Sequence, residues 1–292
     1  MESKKKSKFE ELSELKDPEI LEKWRKEQDE LKSKLITKDI FKFNLENDPN
    51  EKDSIELKYI AGVDISASKH VPNVAVSALV VCDKELKIVY EDYKVVKMTE
   101  PYVPGFLAFR EVNHLVDLVN DLKKNAPEFL PQVILVDGNG LLHVKGFGIA
   151  CHLGVLVDIP TIGCSKNVFN VDGISKKKVK ELAKKNLIKG GDSVELIGDS
   201  GTLWGYAFKS NDEVVNPMII SCGHKISNET ALKIVKKSIV HRVPQPIRFS
   251  DKVSRRLIEN YEVFINKNPG KEWDLKDYLK NHYNSLHSNL DD

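Results

Sequence analysis

The sequence predicts an α/β fold in which a mixed central β-sheet is flanked by α-helices. Three runs rich in apolar and β-branched residues, over 57–66, 74–82 and 88–97, lie close enough together to form an antiparallel meander. Apolar residues at helical spacing follow over 106–120, and the wholly apolar run 133–136 is typical of a strand buried on both faces. This order favours one sheet with helices packed against it.

Helices and strands continue to alternate beyond the buried strand. The sequence predicts a short helix over 147–153, a strand over 161–164, a lysine-rich helix over 175–189, a strand pair within 203–222 and a helix over 228–238. The complete order is similar to that of ribonuclease H-like domains. A fold does not by itself define an activity, so the functional prediction depends on particular residues.

The chain divides into three regions of different composition. Residues 1–50 are rich in Glu, Lys and Leu, and helical spacing over 9–37, broken around Asp17–Pro18, predicts a helical extension that packs on the core. Residues 51–262 contain the strands and helices of the main domain. Residues 263–292 are polar, and we expect a C-terminal tail without a function of its own.

Composition limits the environment of the protein. The 292 residues carry a formal net charge of +1 with 30% charged residues, so affinity for a polyanion depends on local clustering of charge. The four cysteines show no paired spacing, which favours reduced thiols in the cytoplasm, with the nucleus or nucleolus as further compartments. No apolar run of about 18 residues is present, so we expect a soluble protein without a membrane partner. We further expect a monomer.

Three acidic residues lie at positions from which they can converge. Asp64 interrupts the first apolar strand, Asp137 ends the buried strand, and Glu111 lies on the first helix of the main domain. A carboxylate within an apolar strand is unfavourable unless it is paired or binds a cation. Two Mg²⁺ ions held by converging carboxylates can activate water and stabilise the leaving oxygen of a phosphodiester. Taken alone, each acid is explained more simply by a cap or a salt bridge, so the hypothesis depends on the set.

Several motifs carry a specific resemblance to a known family. Pro-Tyr-Val-Pro-Gly-Phe-Leu-Ala-Phe-Arg-Glu at 101–111 closely resembles the PY(I/V)PG…FRE segment of endonuclease V. The further matches are Gly62-Val63-Asp64, Val136-Asp137-Gly138-Asn139-Gly140 with His143, Gly146-Phe147-Gly148-Ile149-Ala150, and Ile162-Gly163 with Lys166. The motifs follow one another in the family's order over roughly residues 55–255, so the resemblance covers most of the chain.

The resemblance implies a set of metal ligands. Asp64, Glu111 and Asp137 match the family's ligand positions, and Lys166 matches its active-site lysine. The segment 242–251, Arg-Val-Pro-Gln-Pro-Ile-Arg-Phe-Ser-Asp, is similar to the family's R(I/L)PEPxRxA(H/D), which makes Asp251 a fourth ligand in a place that other members fill with His or an acid. An acid at a helix N-terminus remains the alternative interpretation of Asp251. The implied cofactor is Mg²⁺, with Mn²⁺ as a substitute and two ions bound.

The resemblance also implies how a base and a phosphate are held. Tyr102, stiffened by flanking prolines, matches the wedge that fills the gap left by a base removed from its stack. Glycine backbone would then line the pocket for the flipped base. The implied wedge and pocket residues are Pro101, Tyr102, Pro104, Gly105, Leu107, Gly138, Gly140, Gly146 and Gly148, and the implied phosphate-binding residues are Lys145, Lys166 and Arg248.

A basic strip accompanies these motifs and is suited to following a phosphate backbone. A merely solvated helix face explains the lysines of the predicted helix 175–189 equally well. The strip consists of Lys176 to Lys178, Lys180, Lys184, Lys185 and Lys189, together with Lys236, Lys237, Arg242 and Arg248.

The function implied by the resemblance is cleavage of the second phosphodiester bond 3′ to inosine, leaving 3′-hydroxyl and 5′-phosphate ends. The lysine-rich N-terminal extension and Asp251 favour single-stranded inosine-containing RNA as the substrate, as in eukaryotic members. A deoxyinosine-specific DNA repair nuclease is the first alternative. A catalytically silent inosine-binding protein is a further alternative, which the intact acids disfavour. A ribonuclease H-like nuclease without base preference is another, which the Pro-Tyr-Val-Pro-Gly wedge disfavours.

Overall fold

The computed structural model describes residues 18–45, 55–101, 103–288 and 290, and it confirms the α/β prediction. Eight strands form one mixed sheet in the order β5-β4-β3-β6-β7-β10-β9-β8, and β1 and β2 form a separate parallel pair. The strands are β1 (Phe43–Asn44), β2 (Ile55–Glu56), β3 (Ile60–Ala67), β4 (Val74–Cys82), β5 (Ile88–Lys97), β6 (Val133–Asp137), β7 (Thr161–Ser165), β8 (Ser193–Ile197), β9 (Leu203–Phe208) and β10 (Met218–His224). The helices are α1 (Pro18–Ser33), α2 (Leu107–Asn125), α3 (Ile149–Val157), α4 (Lys176–Asn186), α5 (Asn228–Lys237), α6 (Gln245–Lys267) and α7 (Leu275–His287).

The sheet combines an antiparallel meander with a parallel centre. Strands β3, β4 and β5 pair antiparallel in sequence order, which confirms the predicted meander. Strand β6 lies parallel to β3 on one side and parallel to β7 on the other. Its residues Val133 to Val136 are buried because helices cover both faces of the central strands. Strand β6 ends at Asp137, at the level of Asp64, whereas β3 continues to Ala67.

Helices pack on both faces of this sheet. On one face, Val112 and Leu115 of α2 and Leu153 of α3 form a cluster with Val63 and Val136. On the opposite face, α5 and the first turn of α6 pack on the central strands, while the following turns of α6 pack on the meander. None of the described helices is long and apolar enough to cross a membrane.

The N-terminal helix α1 packs on the domain through one side. Leu21 and Trp24 form a cluster with Val103, Phe106 and Phe109, and the Trp24 ring stacks on Phe109 at a centroid distance of 5.2 Å. The predicted helical extension begins at residue 9, but residues 1–17 lie outside the described residues. Over Pro18–Ser33, the extension therefore forms part of the packed structure.

The C-terminal region differs from the predicted polar tail. Helix α6 runs without interruption to Lys267, and α7 follows it. Leu286 and Leu290 are 2% and 5% exposed, because they pack against the outer face of the meander. The prediction over 263–292 was wrong for the described part of this region, since few but well-placed apolar residues bury one side of α7. Strand β8 and helix α6 were also not predicted.

Candidate active site

Asp64, within β3, and Asp137, at the end of β6, lie at the same level of two neighbouring strands. In the parallel pair of β3 and β6, Val63 is in register with Val136. The residue that follows is Asp64 on β3 and Asp137 on β6, so the two aspartates lie beside each other. Side chains at equivalent levels of adjacent parallel strands point to the same face. The two acids were predicted to be neighbours, and the order of the strands in the sheet brings them together.

Helix α6 brings a third carboxylate to this face. Side chains at alternate positions of a strand share one face, and on β3 these positions are Gly62, Asp64 and Ser66. A Cβ atom at Gly62 would lie 2.2 Å from the carbonyl oxygen of Pro246, so only glycine allows the first turn of α6 to approach this closely. Asp251 follows on the next turn of α6 and reaches the same edge.

The three aspartates form a cluster of oxygen ligands. Asp64, Asp137 and Asp251 each offer a carboxylate oxygen, and these oxygens lie within 4.8 Å of one another. All three residues are partly buried. This separation allows one divalent cation to contact all three side chains, and all-oxygen ligands are those that Mg²⁺ prefers.

Two serines and an arginine hold the cluster in place. Ser254 Oγ donates to Asp64 Oδ2 at 3.0 Å, and Ser66 Oγ donates to the same oxygen at 3.3 Å. Arg255 donates from Nε to Asp251 Oδ1 at 2.8 Å. Sequence reasoning missed these residues, although Ser66 lies two positions after Asp64 on a strand and Ser254 lies three positions after Asp251 on a helix. Both spacings place a side chain on the same face as the acid.

The cluster carries more negative charge than its surroundings compensate. Burial, followed by the charges of Asp137 and Asp251, raises the pKa of Asp64 to about 6. Burial and then the charge of Asp64 raise the pKa of Glu111 to about 7, against the lowering effect of Arg110. Neighbouring carboxylates that repel one another in a partly buried site are stabilised by a bound cation. The donor set and its electrostatics both fit a divalent metal.

Glu111 reaches the cluster from the other side of the sheet. Helix α2 packs on the face opposite to α6, so the Glu111 carboxylate is not among the three that share the 4.8 Å separation. The charges of Asp64 and Asp137 nevertheless affect its pKa, which places all three groups in one electrostatic environment. Glu111 therefore lies near the aspartate cluster without being one of the three residues that form it.

Lys166 lies beside the cluster, one residue beyond β7. Its Nζ lies 3.2 Å from Asp137 Oδ2, and the lysine side chain remains 50% exposed. An ion pair this exposed adds little to folding stability. A half-exposed ammonium group next to the carboxylate cluster is instead available to an anionic ligand.

The two segments predicted to hold the base are both contacted by a side chain of helix α1. Tyr102 lies outside the described residues, while Pro101, Pro104 and Leu107 are partly buried and Gly105 is buried with a positive φ of 82°. Gln28 of α1 donates from Nε2 to the carbonyl oxygens of Gly105 and Phe147, each at 3.4 Å. One buried amide thus connects the 101–107 segment with the 138–148 loop.

The glycines of the 138–148 loop are required by the packing of the chain itself. A Cβ atom at Gly138 would lie 2.4 Å from Ile149 Cγ2, one at Gly140 would lie 2.3 Å from the carbonyl oxygen of Cys222, and one at Gly148 would lie 2.2 Å from that of Asn139. Gly146 has a positive φ of 61°. These contacts explain the glycines without a ligand, and their predicted contact with a base stays a prediction.

The remaining predicted phosphate-binding residues differ in exposure. Lys145 is exposed, and its carbonyl oxygen accepts a hydrogen bond from Lys32 Nζ at 2.6 Å. Arg248 is 9% exposed, and its Nη1 donates to the carbonyl oxygen of Leu290. The structure thus uses the Arg248 guanidinium to hold the C-terminal segment, which offers no support for a phosphate-binding role.

A mixed sheet that gathers carboxylates at the edge of two parallel strands, beside a lysine, defines the class of ribonuclease H-like phosphodiester hydrolases. Comparison with known proteins identifies the family within that class. The sequence model of the family Endonuclease V matches residues 41–252. The chain belongs to the endonuclease V family and is an endonuclease.

Individual relatives cover most of the chain. Endonuclease V of Mus musculus is 43% identical over 241 residues, which are 82% of this chain and 70% of the mouse protein. The crystal structure of human ENDOV has a TM-score of 0.75 at 42% identity and covers 83% of this chain and 99% of the human one. Endonuclease V of Ciona intestinalis, in complex with a 23mer DNA containing an inosine followed by a ribo-adenosine, has a TM-score of 0.75 at 35% identity and covers 84% of this chain and 100% of its own.

Proposed function

We propose that this protein is an inosine-specific endonuclease that hydrolyses the second phosphodiester bond 3′ to inosine and leaves 3′-hydroxyl and 5′-phosphate ends. The observation that carries the proposal is the cluster of Asp64, Asp137 and Asp251 oxygens within 4.8 Å of one another, with Lys166 beside Asp137. Family membership supports the base specificity, since the Ciona relative is described in complex with inosine-containing DNA.

The residues of the site would have different roles in this reaction. Asp64, Asp137 and Asp251 would hold Mg²⁺, or Mn²⁺ in its place, with Glu111 positioned for a second ion. Bound divalent ions supply activation of the attacking water and stabilisation of the charge on the leaving oxygen. Lys166 Nζ, half exposed and 3.2 Å from Asp137, would contact the scissile phosphate and stabilise the charge that develops on it. Ser254 and Ser66 orient the Asp64 carboxylate.

The substrate we propose is single-stranded RNA that contains inosine, cut by a monomer in the cytoplasm or nucleus. The lysine-rich N-terminal extension and Asp251 in place of histidine support this choice. In the Ciona complex, the nucleotide after the inosine is a ribonucleotide. A ribose at that position would offer a 2′-hydroxyl next to the scissile phosphate, which is the group that distinguishes RNA from DNA.

The proposal is tested with oligonucleotides that differ only in sugar and base. Four strands of one sequence are incubated with enzyme and Mg²⁺, then with Mn²⁺: inosine in RNA, inosine in DNA, inosine in DNA followed by one ribonucleotide, and RNA with adenosine in place of inosine. We expect cutting of the inosine RNA and of the chimera at the second 3′ bond, and none of the adenosine control. Equal cutting of the control would overturn the base specificity, and faster cutting of inosine DNA than of RNA would overturn the RNA preference.

A further inference from the structure

Two adjoining cavities lead away from the carboxylate cluster. The first has a volume of about 310 Å³ and begins at Asp137 and Lys166. The second, of about 480 Å³, shares a wall with it. Because they share lining residues, the two cavities lie next to each other, and we call them together the basic groove. The residues shared by both cavities are Lys180, Val214, Asn216 and Pro217.

Cations dominate the charge along this groove. Its described lining includes six basic side chains: Lys166, Lys176, Lys180, Lys184, Lys209 and Arg242. Its acids are Asp137, which belongs to the metal cluster, and Asp212, which accepts a hydrogen bond from the Gly190 backbone N at 2.7 Å. A groove with this balance of charge fits a polyanion.

Only one face of helix α4 borders the groove, and the lysines on that face are the ones that line it. Lys176, Lys180 and Lys184 are spaced four residues apart, so they lie on one face of the helix and line the cavities. Lys177 lies 4.0 Å from Glu181, and Lys178 lies 3.4 Å from Asp199. The structure thus separates a groove-facing row of lysines from the rest of the basic helix.

Apolar side chains lie between the cations. Val179 and Val168 contribute to the first cavity, and Val214 and Pro217 border both. Val215, which borders the second cavity, is 91% exposed. Alternation of cations with apolar surface suits a single nucleic-acid strand, whose phosphates need charge and whose sugars and bases need apolar contact.

We propose that the basic groove binds the single strand on the 3′ side of the scissile phosphate. The proposal rests on the proposed function, in which the inosine lies 5′ of the cut. Asp137 and Lys166 lie at the start of the groove, where the scissile phosphate would sit. Residues 101, 103–107 and 138–148, from the segments predicted to hold the base, line neither cavity. The strand that leaves the site through the groove is therefore the one that follows the cut.

The test compares two double variants of equal charge on the same helix. Lys180→Ala/Lys184→Ala removes groove lysines, whereas Lys177→Ala/Lys185→Ala removes exposed lysines that line neither cavity. Fluorescence anisotropy in EDTA measures binding of inosine RNA and inosine DNA over a range of salt concentrations. The RNA and the DNA are each prepared in two lengths. The long strand extends eight nucleotides to the 3′ side of the scissile bond, and the short strand extends one.

For the long strands, we expect Lys180→Ala/Lys184→Ala to bind more weakly than the control variant and to show a salt slope smaller by about 1.4, the value for two lost phosphate contacts on a single strand. For the short strands, the two variants should bind alike. Identical behaviour of both variants on the long strands would overturn the proposal. A difference that persists on the short strands would also overturn it, because the contacts would then lie 5′ of the cut.

The experiment distinguishes an incorrect assignment of the groove from an incorrect proposed function. Phosphate contacts carry no base information, so the two variants are also compared on long strands with adenosine in place of inosine. Equal affinity of the wild-type protein for inosine and adenosine strands, without cutting of either, would overturn the proposed function. The difference between the two double variants would still decide whether the groove binds nucleic acid.

Discussion

The Gly62 backbone lies directly against the carbonyl group of Pro246: a methyl group at Gly62 would be 2.2 Å from the Pro246 oxygen and 2.1 Å from its carbon. This contact sets the distance between β3 and α6. Asp64 lies two residues after Gly62, and Asp251 lies five residues after Pro246. The geometry of the carboxylate cluster therefore depends on a residue that has no side chain.

We expect Gly62→Ala to reduce both stability and cutting. The added methyl group meets backbone atoms, which cannot rotate away, so α6 must shift and carry Asp251 with it. Overpacking of this kind lowers the free energy of unfolding by about 1–3 kcal/mol. Urea denaturation and single-turnover cutting measure the two effects.

Gly191→Ala provides the matched control for this change. Gly191 has a positive φ of 92°, but no atom lies within 4 Å of an added Cβ. That variant should lose stability through backbone strain and keep its rate of cutting. A Gly62→Ala protein that cuts as fast as Gly191→Ala would show that the contact does not set the cluster geometry.

Ser254→Ala should raise the Mg²⁺ concentration needed for half-maximal cutting by about 10- to 100-fold, as the loss of outer ligand-orienting groups commonly does. The Ser254 hydroxyl donates to Asp64 Oδ2 at 3.0 Å and is the shorter of the two serine contacts to that oxygen. Ser254→Thr keeps the hydroxyl and should restore most of the effect.

The control for Ser254 is another buried serine of α6. Ser250 donates to the carbonyl oxygen of Ile247 at 2.9 Å and is fully buried. Its replacement by alanine should alter stability without changing the Mg²⁺ requirement. An equal shift in both variants would mean that general loosening of α6, rather than orientation of Asp64, is responsible.

Lys166→Ala should slow cutting by about 10²-fold or more while leaving the midpoint of thermal unfolding nearly unchanged. The side chain is 50% exposed, and its ion pair with Asp137 therefore adds little to stability. Lys166→Arg should recover only part of the rate, because the planar guanidinium does not reproduce a point charge. Single-turnover cutting by the three proteins measures this, and an unchanged rate in Lys166→Ala would remove the lysine from the mechanism.

The sequence predicted the central part of the site because strand order determines it. Asp64 and Asp137 each interrupt or end an apolar strand, and parallel neighbours in register bring such residues together. The position of Glu111 was harder to predict, because it depends on which face of the sheet α2 covers. The resemblance identified these acids without indicating that Asp64, Asp137 and Asp251 form one close group to which Glu111 does not belong.

Other positions depended on helix phase and on packing that a sequence does not display. Asp251 and Arg248 lie on adjacent turns of α6, yet Asp251 reaches the cluster and Arg248 is buried against the C-terminal segment. Lys180 and Lys177 are both lysines of α4, but of the two only Lys180 lines the groove. The burial of Leu286 depends on α7 returning to the meander, a long-range contact that local composition does not predict.

Docking of α7 on β5 should depend on pH. His287 Nε2 lies 2.7 Å from Glu91 Oε2, and both side chains are less than a fifth exposed. Burial lowers the pKa of His287, but the hydrogen bond with Glu91, the hydrogen bond with the Tyr283 carbonyl oxygen and the charge of Glu91 together raise the pKa above its usual value. Burial raises the pKa of Glu91, but the hydrogen bonds from His287, Tyr93 and Tyr283, together with the charge of His287, lower the pKa below its usual value.

The signs of these shifts define the pH window. The His287 contribution is complete below its unfolded pKa of about 6.5 and is lost as pH rises through its folded pKa. The Glu91 contribution is complete above its unfolded pKa of about 4.3 and is lost as pH falls through its folded pKa. Urea denaturation should therefore show a larger loss of stability for His287→Ala at pH 5.5 than at pH 8. An equal loss at both values would mean that the contact is not an ion pair.

The most direct test of the account is Mn²⁺ binding, followed by electron paramagnetic resonance, in the wild-type protein and in Asp137→Asn, with cutting of inosine RNA measured on the same samples. Asp137→Asn keeps the size of the side chain and removes the charge at the point where the cluster, Lys166 and the basic groove meet. We predict that the variant folds, binds Mn²⁺ far more weakly and does not cut. A folded Asp137→Asn protein that cuts inosine RNA at the wild-type rate would contradict the assignment of these carboxylates as the metal site.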